Sequence, residues 1–349
     1  MNKKGFMQKL LYILILLFVV GSFNYFVDAQ QQIRYNKNYV SGEQRVINNG
    51  LARNYTYDTI IIGSSTSENI LKKDVDQLFN VNSVNLSLSG STALEHKNLL
   101  NIVIQEGKVK NVIYGLDVFN YNRLGIRNEI IDYGKNKKEL LKYLLNISLL
   151  KTNIKIIIKE LLGKNKKDWI YTWSFWGNQF TFSEENTLCF NEKLQFGAQN
   201  LGVIKEVRKG YDDKILKYNV DEFFKIVEKT PNIDYKIYFP PYSILYWYAL
   251  DRYNCLESVL SFKKYIYLKG KKYSNVFIYD FQDDISVIEN LNNYKDSVHF
   301  SDLISKKITY ELVTKKANIE NCNFSNRIKE SIKKSKNKFD KIYKENNIE

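Results

Sequence analysis

Apolar and polar positions along this chain fall into blocks whose period changes several times. Residues 10–27 (LLYILILLFVVGSFNYFV) are 18 consecutive uncharged positions, preceded by Lys3, Lys4 and Lys9 and followed by Asp28. A run of this length can cross a bilayer core at about 1.5 Å of rise per residue. Lysines before the span and a long chain after it predict a cytoplasmic N-terminus and an exported remainder, a single-pass protein of the cell membrane. A second reading stays open. The most apolar part is short, and the Val27-x-Ala29 pair could be a signal-peptidase site, giving a form secreted after cleavage near Ala29.

Residues 30–56 are polar, rich in Asn and Gln and without period, and read as a linker. From 57 the pattern changes. The β-branched run 57–62 (YDTIII) ends at Gly63-Ser64-Ser65 and predicts a buried strand meeting a turn. A helix over 67–79, a strand over 81–88 ending at Gly90, a helix over 91–105 and a strand over 109–114 ending at Gly115 follow. Such alternation with short connections predicts a parallel sheet with helices on both faces. Residues 124–230 interrupt it with helical stretches over 137–163 and 200–229 around the aromatic segment WIYTWSFWG, and read as an insertion. The alternation resumes with a strand over 235–239 running into Pro240-Pro241, a helix over 251–269, a strand over 275–281 and a closing helix over 301–313. The expected fold is thus a three-layer, flavodoxin-like α/β/α domain over 57–315 with an α-helical insertion, one N-terminal transmembrane helix and a basic tail over 316–349. From Arg327 to Lys344 that tail holds eight Lys or Arg against two Asp or Glu, and reads as a solvated helix or tail.

Composition narrows the function. With 44% hydrophobic and 26% charged positions in 349 residues, the chain can bury a sizeable core and is not disordered as a whole. Three cysteines build no disulfide framework, and two histidines, His96 and His299, build no His-rich metal site, so no metal or cofactor is expected. The net charge of +14 favours acidic partners. Export past residues 10–27 turns that preference from nucleic acid towards anionic envelope polymers or lipid headgroups.

In open α/β sheets ligands sit beyond the carboxyl ends of the strands. Four loops are expected there, carrying Gly63-Ser64-Ser65, Ser89-Gly90-Ser91, Gly115-Leu116-Asp117 and Asp296-Ser-Val-His299. A serine at a strand-to-helix turn, a histidine to take its proton and a carboxylate to orient the histidine meet the requirement for an activated nucleophile. His96, within Leu94-Glu-His-Lys97, is expected at the surface. Trp173 and Trp176 are candidates for a binding platform or for packing the insertion onto the sheet. Tyr242 and Ser243, after Phe239-Pro-Pro, are candidates to line the pocket.

The order of a Gly-x-Ser turn, a glycine after the second strand, a Gly-x-Asn-type turn after the third and a late Asp-x-x-His resembles the SGNH (GDSL-like) hydrolase superfamily, over about residues 57–120 and 233–313. The Gly-Ser-Ser form is similar to membrane-tethered members acting on envelope polymers, the D-alanyl transfer protein and alginate O-acetylation type, which partner a membrane-bound O-acyltransferase. That resemblance implies Ser65 as nucleophile, His299 as base, Asp296 as its orienting partner, and the Ser65 and Gly90 amides as oxyanion donors, with Ser64 beside them. It departs at Asp117, where the family pattern has an asparagine that donates to the oxyanion; an ionised carboxylate there would repel the charge. Asp117 is then protonated, or positions something else, or Asn120 or Asn122 replaces it. The implied function is serine-dependent acyl transfer or deacylation on a cell-envelope glycan or teichoic-type polymer; the alternative is a non-catalytic module of the same fold that binds such a polymer or scaffolds an acyltransferase.

Overall fold

The computed structural model describes residues 3–127, 133–163, 169–172, 175–176, 179–314 and 324–348. The chain divides into two compact units, one of Met1–Thr56, Leu99–Gly107 and Asn128–Trp173, the other of Tyr57–Asn98, Lys108–Arg127 and Ser174–Glu349.

The larger unit is built on five parallel strands, β1 (Thr59–Ile62), β2 (Ser83–Asn85), β3 (Asn111–Gly115), β4 (Asp234–Phe239) and β5 (Val276–Asp280), in the order β2-β1-β3-β4-β5. All four residues of β1 are buried, as a strand covered on both faces requires. Successive side chains point to opposite faces. Ile61, Ile113 and Tyr238 pack with Ile70 and Val75 on one side, together with Ile304, Ile308 and Leu312 of helix Asp302–Thr314. On the other side Tyr114 and Tyr235 meet Phe223 of helix Asp213–Lys229. Three layers result, as the alternation predicts. The chain leaves β1 towards β2 in one direction and β3 towards β4 and β5 in the other, so the crevice for a ligand lies beyond the carboxyl ends of β1 and β3.

Several boundaries differ from expectation. The helix expected over 67–79 is a short 3-10 turn, Ser65–Ser67, followed by helix Lys72–Phe79. That expected over 251–269 is two helices, Ile244–Arg252 and Leu256–Gly270, separated at Asn254, whose φ is +57°. The basic tail contributes helix Phe324–Glu345, whose Phe324, Ile328, Ile332, Phe339 and Tyr343 are buried. Its rings meet Trp247 and Tyr248 of helix Ile244–Arg252, and Asp340 accepts from Tyr248 Oη at 2.5 Å.

In the smaller unit, helix Lys3–Val27 contains the apolar run, with a mean hydropathy of 2.3 over its best 18-residue window and an exposed surface over Leu10–Val19. Its carboxyl end is tied down by polar side chains. Asn24 Nδ2 donates to the carbonyls of Leu144 (2.8 Å) and Asn146 (3.2 Å), where helices Lys137–Leu144 and Ile147–Leu161 meet. The Asp28 carboxylate accepts from the amides of Gln32, Ile33 and Arg34 and from Tyr143 Oη. Residues 30–56, expected as a linker, hold helix Gln44–Asn54 with Val46, Ile47, Leu51 and Ala52 buried. Of the expected insertion, residues 133–161 belong to this unit and 179–229 to the larger one.

Candidate active site

β1 ends at Gly63, where the backbone must pass between neighbours with no room for a side chain. A Cβ there would strike Ser67 Oγ and the Gly115 carbonyl, and one on Gly115 would strike Ser67 Oγ and Tyr238 Oη. The space the two glycines leave is filled by the hydrogen bond between Ser67 Oγ and Tyr238 Oη, 2.8 Å. Gly115→Ala is therefore expected to destabilise the protein by about 1–3 kcal/mol through overpacking, read as a lowered thermal midpoint in detergent.

Immediately beyond, Ser65 opens the 3-10 turn, with the buried Ser64 as its N-cap. Ser65 Oγ lies 2.7 Å from His299 Nε2. His299 Nδ1 lies 2.8 Å from Asp296 Oδ2 and 2.9 Å from Oδ1. An ionised carboxylate only accepts, so Nδ1 carries the hydrogen and Nε2 is left as acceptor for the serine hydroxyl. Asp296 Oδ1 also accepts from the amides of Val298 and His299, which fixes the Asp-x-x-His turn. Asp296 is fully buried. Burial pushes its carboxyl up, but the imidazole of His299, the hydrogen bond to it, the Lys295 ammonium and the Val298 amide together hold it below the ordinary range.

These residues open on a cleft of about 560 Å3 whose walls include Ser65, Gly90, Phe119, Trp176, Phe180, Lys295 and His299. Gly90 adopts φ +57° and accepts at its carbonyl from Arg127 Nη1. Trp176 sets its ring against His299, centroids 5.4 Å apart, and donates from Nε1 to Glu68 at 2.5 Å. Of the two candidate tryptophans Trp176 thus faces the cleft, while Trp173 lies outside the described residues.

Four other expected site residues are placed beneath the cleft. Asp117 is fully buried and its two oxygens accept three hydroxyls, Ser64 Oγ at 2.5 Å, Thr66 Oγ1 at 2.8 Å and Tyr242 Oη at 2.6 Å. As a correction, then, Asp117 does not occupy the oxyanion position; it clamps the residues on either side of Ser65. Ser64 and Tyr242 spend their hydroxyls on that carboxylate, and Ser243 Oγ donates to the Ser297 carbonyl at 2.7 Å, bracing the His299 loop. None of the three lines the cleft. A carboxylate taken out of water demands donors, and the nearest hydroxyls supply them. Asn122 is committed to the Gly210 carbonyl and the Asp212 amide, whereas Asn120 Nδ2 is buried with no partner among the described residues.

Burial drives the Asp117 carboxyl above its ordinary range, and the three hydroxyl bonds pull it back only in part. The folded state then holds the proton to higher pH than the unfolded chain. Stability from this group is complete below the ordinary aspartate value of about 3.9 and is lost as pH rises through the folded value. Thermal melts from pH 4 to pH 8 should show Asp117→Asn gaining on the native protein as pH rises; a pH-independent difference would contradict this.

His96, expected at the surface, is buried. Its Nε2 lies 2.6 Å from Ser91 Oγ, its Nδ1 2.8 Å from Tyr114 Oη, and Tyr114 Oη continues to Tyr121 Oη at 3.0 Å. It fixes the residue that follows Gly90. Sequence reasoning also passed over Lys295 and Phe180, which carry no local pattern.

No protein-family model matches this chain, and no curated protein matches it. Among solved structures, a chain from Streptococcus pneumonia provisionally named as a platelet activating factor aligns at TM-score 0.38 and 11% identity, covering 78% of this chain and 89% of that one.

Proposed function

We propose that the protein performs serine-dependent acyl chemistry of the SGNH type on an envelope polymer outside the cell. The observation that carries this reading is the unbroken hydrogen-bonded path from Ser65 through His299 to a buried, ionised Asp296, at the mouth of a cleft beyond β1 and β3. Ser65 Oγ attacks an acyl carbonyl carbon as its proton passes to His299 Nε2, and Asp296 stabilises the imidazolium that forms. The amides of Ser65 and Gly90 receive the negative oxygen. Collapse of the tetrahedral adduct breaks the bond to the leaving alkoxide, which takes the proton from His299, and leaves an acyl-serine. A hydroxyl of the acceptor, or water, then attacks the acyl carbon as its proton passes to His299, the bond to Ser65 Oγ breaks, and His299 returns that proton to the serine oxygen. The carboxylate of Asp117 accepts from three hydroxyls below the turn and does not line the cleft.

The walls suit an acyl group on one side and a chain of polar units on the other. Trp176, Phe180, Phe119 and Val298 offer apolar surface near Ser65. A groove of about 1030 Å3 shares Phe119, Arg123 and Arg127 with the cleft and continues along Lys209, Asp212 and Lys214, which supports a polymeric acceptor. The anchored reading of residues 10–27 draws support from the same unit. Val27 and Ala29 are buried and Asp28 is hydrogen-bonded throughout, so a cut near Ala29 would sever a packed segment. A membrane-bound O-acyltransferase as donor of the acyl group belongs to this proposal.

The test is turnover of p-nitrophenyl acetate by the full chain in detergent. Release of p-nitrophenol that disappears in Ser65→Ala supports the proposal; equal release by both proteins refutes it.

A further inference from the structure

Three lysines among the described residues are buried, Lys72, Lys263 and Lys295. Two are neutralised in the ordinary way: Lys72 Nζ lies 2.6 Å from Asp76, and Lys263 Nζ 2.9 Å from Asp280. Lys295 is only 3% exposed, yet no described carboxylate lies within 4.0 Å of its Nζ. Its ammonium is instead held between two aromatic faces, 3.9 Å from the ring centroid of Trp176 and 3.6 Å from that of Phe180. Both rings, Lys295 itself, Ser65 and His299 belong to the wall of one cleft. The indole that bears on Lys295 also bears on His299, so the cation and the proton acceptor of the site share one aromatic neighbour.

Taking an ammonium out of water is costly unless an anion meets it, and ring faces compensate only in part. Burial accordingly pulls Lys295 below its ordinary range, against the opposing pull of Asp296 and Glu68. Asp296 is engaged by His299, and the Glu68 carboxylate accepts from the Trp176 indole. An aromatic sandwich that opens on a reaction cleft, with no described carboxylate within ion-pair distance of its ammonium, is a site prepared for an anion from outside.

We propose that Lys295 is the anion-binding residue of the cleft, holding a carboxylate or phosphate that the substrate carries close to the ester attacked by Ser65. The inference rests on the acyl-transfer reading and deepens it, because it makes the substrate an anionic ester. A charge-assisted contact of this kind discriminates by about 10–100-fold between a charged ester and a neutral one of the same length.

The experiment uses the full chain in detergent and two ester pairs. On the acyl side, mono-p-nitrophenyl succinate is compared with p-nitrophenyl butyrate; on the alcohol side, 1-acetylglycerol 3-phosphate with 1-acetylglycerol. The native protein is expected to favour the anionic member of one pair by at least about tenfold in kcat/KM. In Lys295→Met that preference should fall to less than about threefold, and Lys295→Arg should restore part of it. The pair that shows the effect says whether the anion rides on the acyl group or on the alcohol. No preference in the native protein for either pair, or an equal loss on charged and neutral esters in both Lys295→Met and Lys295→Gln, overturns the proposal. If neither pair is turned over, tryptophan fluorescence titrated with succinate and with glycerol 3-phosphate decides: saturable quenching absent from Lys295→Met upholds the anion site, and no quenching in the native protein sinks it. Ser65 labelling by a fluorophosphonate is independent of Lys295, so failure of the acyl reading itself is seen separately.

Discussion

Full-length protein carrying His299→Ala is expected to turn over an activated acetate ester on the order of 10^4–10^6-fold more slowly than the native chain. His299 Nε2 sits 2.7 Å from Ser65 Oγ and, with Nδ1 hydrogen committed to Asp296, is the acceptor the serine proton needs. His96 cannot take over, because both its ring nitrogens are held in the interior by Ser91 and Tyr114. Residues that act as one unit lose their effect together. Adding Ser65→Ala to His299→Ala should therefore cost little more than either change alone. Steady-state release of p-nitrophenol by the three variants checks both statements, and a rate for His299→Ala within tenfold of native would mean that another base serves Ser65.

Asp296→Asn is expected to cost about 10^4 in kcat while leaving the fold in place. The amide oxygen can still accept from Val298 and His299 backbone N–H, so the turn survives. What is lost is the negative charge that fixes the tautomer of His299 and stabilises its protonated form. Asp296 is also the source of a stability term of defined sign. Its carboxyl is held below the ordinary range, so its contribution is complete above about pH 4 and is lost as pH falls through the folded value. Thermal melts of Asp296→Asn should approach those of the native protein towards low pH, the opposite of the trend expected for Asp117→Asn. A kcat reduced by less than about tenfold would show that the carboxylate orients nothing that matters to turnover.

The layers were legible in the sequence where the chain is driven by simple periodicity. The run Thr59–Ile62 and the glycine after it mark a buried strand and a tight turn whatever surrounds them. The spacing of Asp296 and His299 brings the two side chains to one side of a turn, and the structure places them in contact. Roles that depend on what lies underneath were hidden. Ser64, Asp117, Tyr242 and Ser243 stand at strand ends, where polar residues look like ligand contacts; here Ser64 and Tyr242 donate to Asp117, because a fully buried carboxylate needs hydroxyl donors, and Ser243 donates to the Ser297 carbonyl. His96 follows a glutamate and precedes a lysine, yet distant Tyr114 and nearby Ser91 give its nitrogens partners in the core. In the last helix eight basic residues mask Phe324, Ile328, Ile332, Phe339 and Tyr343, whose spacing presents one apolar face. Residues 30–56 conceal Val46, Ile47 and Leu51 among asparagines in the same manner. Lys295 gave no signal at all, since its meaning lies in two rings brought to it by a segment more than a hundred residues earlier.

The nucleophile is tested most directly by mapping where a fluorophosphonate attaches to the full-length protein in detergent, with peptide mass spectrometry as the readout. The expected result is a single adduct on Ser65 of the native chain, none on Ser65→Ala, and much slower labelling of His299→Ala. An unmodified native protein, or an adduct formed equally well by Ser65→Ala, would contradict the assignment.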